Sequence, residues 1–143
     1  MEDDTIKLLR ECNAGIKMGI SSLDEVMEHV KDSALEKLLM KSKDTHCRLG
    51  DKTHDYLREY HDEGKEPAPM AKVMSWMKTN VRLAGEDSDK VVADLITDGC
   101  NMGVKSLHGY LNQYQAADDK AKKIAKETIE AEEKLIKDLR EYL

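Results

Sequence analysis

The 143-residue chain has no phenylalanine, one tryptophan, two prolines and three cysteines. Each scarcity excludes something. No uninterrupted apolar run approaches the roughly 18 residues that a membrane-spanning helix requires. Cys12, Cys47 and Cys100 are odd in number and widely spaced, with no Cys-x-x-Cys among them. That speaks against a disulfide framework or a zinc ribbon and for a reducing compartment. Met1-Glu2-Asp3-Asp4 has the wrong charge for a secretory leader, so a cytoplasmic location is expected. Positive charge is also short: 23 Lys and Arg against 29 Asp and Glu leave a net charge of −6, which disfavours nucleic acid or an acidic membrane as partner. What is present, 40% apolar and 36% charged residues, suffices for one core beneath a heavily solvated surface. The length suits a single domain over 1–143.

Both prolines, Pro67 and Pro69, fall in Glu63-Gly64-Lys65-Glu66-Pro67-Ala68-Pro69, and the other breaks are Lys31-Asp32-Ser33, Gly85-Glu86-Asp87-Ser88 and Ala117-Asp118-Asp119. Asp32 or Ser33, Ser88 and Asp118 are candidate N-caps, because a short oxygen side chain accepts the first free backbone N–H groups of a helix. Between the breaks the apolar residues keep a 3-4 spacing. Ile6, Leu9, Ile16, Ile20, Leu23, Met27 and Val30 mark a first long helix; Leu35, Leu39, Leu49, Tyr56 and Tyr60 mark a second, with Ser42, His46 and Thr53 in the same stripe. A third runs from Ser88 to Tyr114 through Val92, Leu95, Met102, Val104, Leu107 and Leu111. A fourth runs from Ala121 to Leu143 through Ile124, Thr128, Ala131, Leu135, Leu139 and Tyr142. Nothing has period two, so the fold class expected is all-α.

A shorter helical piece, Met70 to Leu83, lies inside the connection between the second and third long helices. That connection is far longer than the two to eight residues that join antiparallel neighbours. It predicts a helix-containing crossover over 64–87, between a hairpin over 3–63 and a hairpin over 88–143. The two halves also resemble each other. Cys12-Asn13-Ala14-Gly15-Ile16-Lys17 matches Cys100-Asn101-Met102-Gly103-Val104-Lys105 at an offset of 88, and Leu57-Arg58-Glu59-Tyr60 matches Leu139-Arg140-Glu141-Tyr142 at an offset of 82. One helical hairpin used twice is the expectation.

Two hairpins joined by a long crossover are the plan of the ferritin-like four-helix bundles. With Trp76 in the crossover, an acidic turn from Gly85 to Asp89 and a helix ending in Tyr110 and Leu111, the chain resembles an uncharacterised bacterial ferritin-like family of domain-of-unknown-function proteins. The resemblance implies a site for iron or manganese built from one Glu on each of two helices and Glu-x-x-His on each of the others. The chain matches that set poorly. Asp51-Lys52-Thr53-His54 is a relaxed match on the second helix, and Glu130 and Glu133 are carboxylates available on the fourth, where no second imidazole follows. The first and third helices place Asn, Gly and Lys where a bridging Glu would stand. Asp51, His54, Glu130 and Glu133 are therefore the candidate metal ligands, against the plainer reading of solvated helix faces. His46, on the apolar stripe, fits a hydrogen-bonded core histidine, and the run Glu127, Glu130, Glu132, Glu133 fits surface.

The repeated residues suggest packing. Asn13 and Asn101 lie on or beside the apolar stripes. Gly15 and Gly19, like Gly99 and Gly103, are spaced so that each pair shares a helix face and lets another backbone approach. A close crossing of the first and third helices at Asn13, Gly15, Asn101 and Gly103 is expected. Cys12 and Cys100 hold equivalent places and form a candidate redox pair, against the simpler reading of two small buried thiols. Taken together, these features point away from catalysis. The expected function is a ferritin-like module with a degenerate or absent di-metal site that acts by association, as a homo-oligomer. A metal-binding oxidoreductase and a helical adaptor for a protein partner are the alternatives.

Overall fold

The computed structural model describes residues 2–65 and 71–143. Pro67, Pro69 and Met70, which the sequence places at the start of the crossover, lie outside the described residues. Five α-helices account for most of the rest, with no strand among the described residues: α1 (Glu2–Met27), α2 (Ser33–Arg58), α3 (Ala71–Ala84), α4 (Ser88–Gln113) and α5 (Asp119–Leu139). None of them is long and apolar enough to cross a membrane.

The caps are local chemistry. Asp32, in extended backbone, accepts from Leu35 N at 2.9 Å and starts α2; Asp118 accepts from Ala121 N at 2.8 Å and starts α5. Ser88 is not a cap. It is buried, and its hydroxyl donates to the His29 carbonyl at 3.0 Å, so it binds the α1–α2 turn instead. Between α3 and α4 the chain makes one tight 3-10 turn, Gly85–Asp87, entered through Gly85 at φ +57.

The four long helices pack as a ring: α1 on α2, α2 on α5, α5 on α4 and α4 on α1, with α1 and α5 also meeting across the bundle. The second and third long helices, α2 and α4, stand on the other diagonal. The end contacts set the directions. At one end, the top, Lys31 N and Asp32 N of the α1–α2 turn donate to the Asp89 carboxylate at 2.8 and 3.0 Å. At the base, Asp118 N donates to Thr5 Oγ1 at 2.8 Å, and the Tyr56 hydroxyl, near the end of α2, donates to the Asp118 carboxylate. Thus α1 and α5 run from base to top, and α2 and α4 return. α3 lies against α1 and α4.

The apolar interior is divided. One cluster, toward the top, gathers Leu23, Val26, Leu35, Leu39, Met77, Val81, Val92, Ile96, Leu135 and Leu139; the other, toward the base, gathers Leu8, Leu9, Cys12, Tyr56, Leu57, Leu107, Ile124 and Ile129. Full burial of one such side chain stabilises by roughly 1.5–3 kcal/mol, so either cluster alone outweighs any single polar contact. Between them the bundle has a polar waist.

Candidate functional site

Two polar side chains meet at the waist. His46 projects from the apolar stripe of α2 and is 2% exposed; Glu132 projects from α5 and is 8% exposed. His46 Nε2 stands 3.9 Å from Glu132 Oε1, within ion-pair range, and His46 Nδ1 is 2.8 Å from the Ser42 carbonyl one turn earlier. Burial opposes a charge on the imidazole. The Glu132 carboxylate and the Ser42 carbonyl together outweigh it and hold the His46 pKa above its usual value. Glu132 Oε2 is buried without a hydrogen-bond partner among the described residues.

Glycines on the other two helices make room for this pair. A Cβ on Gly19 of α1 would lie 3.1 Å from the His46 ring, and a Cβ on Gly103 of α4 would lie 2.6 Å from Glu132 Oε2. The first glycine of each spaced pair does nothing comparable: Gly15 and Gly99 are exposed, with open space where a Cβ would be. The expected close crossing of helices at Asn13, Gly15, Asn101 and Gly103 is therefore not made. Asn101 is exposed. Asn13 is buried, but its amide donates to the Lys65 carbonyl at 3.4 Å and sits over Gly64, whose φ of +91 lets the chain turn there. It seals the loop after α2. The physical reason is registry: only Gly19 and Gly103 come level with the bulky polar groups of the facing helices.

The four candidate metal ligands do not converge. Asp51, Glu130 and Glu133 are exposed and His54 is half-buried. His54 lines an open cleft with Lys17, Arg58 and His61, whereas Glu130 lines a separate shallow groove with Lys122, Lys126 and Glu127. Across the α2–α5 seam an ordinary ion pair, Lys52 to Glu127 at 3.0 Å, occupies the surface. Among the described residues no three His, Cys, Asp or Glu side chains are grouped so as to hold a metal ion. The donor set of a di-iron or di-manganese centre, four carboxylates and two imidazoles, does not fit these residues.

Cys12 and Cys100 are both buried free thiols, but they belong to different apolar clusters, Cys12 toward the base and Cys100 toward the top. Burial pushes each pKa up to about 12, with Glu11 adding to the effect at Cys12 and Glu132 at Cys100. A thiol held protonated is a poor nucleophile and a poor redox partner.

Glu132 is the residue that the sequence reading places on the surface and the structure places inside. The signal is present in the spacing: Ala121, Ala125, Thr128, Glu132, Leu135 and Leu139 keep the 3-4 period of the buried face. A second feature lies outside the waist. α3 buries Met77 and Val81, yet Val73, Trp76 and Leu83 are 46%, 57% and 79% exposed. No protein-family model, curated protein or solved structure matches the chain.

Proposed function

We propose that this chain is a ferritin-like helical module with no di-metal centre, whose work is association through its helix faces rather than catalysis. The observation that carries the reading is the composition of the waist. At mid-bundle, where di-metal chemistry requires carboxylates from all four helices, α1 and α4 present glycine and the other two supply one imidazole and one carboxylate. The pairing of hairpins, with α3 in the connection, supports the ferritin-like plan. So do the mirrored depths of Cys12 and Cys100, one on each side of the waist, as a dyad across the bundle requires. The exposed apolar residues of α3, Val73, Trp76 and Leu83, offer surface for such association.

Two measurements on the untagged full chain test this. Sedimentation velocity over a wide concentration range is expected to show a species heavier than the 16.2 kDa monomer. Elemental analysis after loading with iron or manganese is expected to return well under one ion per chain. A stoichiometric metal content overturns the reading, and so does a chain that stays monomeric throughout.

A further inference from the structure

The α1–α2 and α4–α5 hairpins are tied together by different chemistry at the ends and at the waist. At the top, the Asp89 carboxylate accepts two backbone N–H groups of the α1–α2 turn; at the base, Asp118 N donates to Thr5 Oγ1. Neither tie uses a group that changes its proton near neutral pH. At the waist the tie is His46 to Glu132, and imidazole is the side chain that changes its charge in that range.

The surroundings offer the pair no substitute partner. From α1 the His46 ring faces Gly19, and from α4 Glu132 faces Gly103, so neither helix brings a charge to the contact. Cys100 of α4 feels Glu132, but burial keeps its thiol protonated. On α2 itself, Lys43 is engaged by Asp24 of α1 at 2.5 Å. Glu132 Oε2 has no hydrogen-bond partner among the described residues even with the pair intact. Once His46 gives up its proton, the carboxylate is a buried anion facing a neutral ring, which burial penalises heavily. A way out is open to it. Gly103 is half-buried, and the place of its missing Cβ is 2.6 Å from Oε2, so that residue puts no side chain between the carboxylate and the α4–α5 seam.

We infer that the waist is a pH-operated latch between the two hairpins: when His46 loses its proton to solvent, Glu132 swings past Gly103 toward water and the bundle opens at mid-height while both ends stay tied. His46 is held charged above its usual range, so the latch is closed in mildly acidic solution and opens as pH rises.

Two thiols report on it. Cys12 and Cys100 both have pKa values pushed up to about 12 by burial, Cys100 where Glu132 acts on it and Cys12 in the base cluster. The ratio of their alkylation rates therefore cancels the thiol's own pH dependence. The full chain is treated with iodoacetamide from about pH 6 to about pH 8.5, and the two sites are followed by peptide mass spectrometry. The Cys100 rate relative to Cys12 is expected to rise at least about threefold across that range. His46→Gln, which cannot titrate, should give a ratio that no longer varies with pH, and Glu132→Gln should do the same. Amide exchange of the unaltered chain, corrected for its intrinsic pH dependence, provides a second measurement that needs no variant to fold. Protection should fall with pH around residues 46 and 132 and hold at the Asp32 and Asp118 caps. A constant ratio in the unaltered chain, a rise that persists in folded His46→Gln, or protection lost equally at waist and ends overturns the latch.

Discussion

His46 Nε2 and Glu132 Oε1 face each other at 3.9 Å across the α2–α5 seam, shut away from solvent between two apolar clusters. Breaking a buried pair by removing one partner leaves the other desolvated and alone, whereas replacing both by apolar groups of similar size is often neutral or better. Glu132→Ala should therefore cost about 3 kcal/mol of unfolding free energy in urea. The double variant His46→Leu with Glu132→Met should recover most of it. A double variant as unstable as the single one would show that the pair itself, and not the volume it fills, holds the waist together.

The same pair makes stability depend on pH, and the sign follows from the direction of the shift. The folded His46 pKa is raised above the unfolded value near 6.5 because Glu132 and the Ser42 carbonyl outweigh burial. Its contribution is complete below the unfolded pKa and is lost as pH rises through the raised one. The urea midpoint should fall from mildly acidic to mildly alkaline solution, and Glu132→Gln should flatten that slope. Equal slopes in the two proteins would remove His46 as the cause.

The glycines separate by what faces them. Gly15 and Gly99 lie inside helices with open space around the missing Cβ, so Gly15→Ala and Gly99→Ala should each stabilise by about 0.5–1 kcal/mol. Gly103→Ala gains the same helix propensity but drives a Cβ to 2.6 Å from Glu132 Oε2. Its melting temperature should rise less than those of the other two variants or fall. Three equal increases would mean that Glu132 moves aside without cost.

Thiol chemistry should rank the cysteines. Cys12 and Cys100 are buried with pKa values pushed up to about 12, whereas Cys47 is half-buried. Under native conditions a disulfide reagent should titrate Cys47 first, and the other two only as fast as the protein opens. Rapid loss of Cys12 and Cys100 together, with a disulfide between them in peptide mapping, would revive the redox pair.

How much of this was legible in the sequence depends on which contacts a residue answers to. The helices, the Asp32 and Asp118 caps and the fifth helical piece between the second and third long ones follow from the sequence, because caps and periodicity act within one or two turns. His46 could be placed inside from its stripe. Glu132 was harder, since four glutamates crowd 127–133 and only the 3-4 spacing distinguishes the one that turns inward. The metal candidates failed for a related reason. Asp51 and His54 have a ligand-like spacing along α2, but spacing on one helix says nothing of what the facing helix brings to the same height.

By itself, then, the sequence determined that the chain is helical, where α2 and α5 are capped and most of each apolar stripe, Met102 being an exception that the structure leaves 70% exposed. These are decided by hydrogen bonds and side-chain periodicity along a single rod. Only the tertiary structure decided that Gly19 and Gly103 serve an imidazole and a carboxylate, that Asn13 seals a loop, and that Trp76 is left outside. Burial and partnership are sums over atoms contributed by other helices. A sliding register of a few ångströms between two rods reassigns them without altering either rod's own pattern.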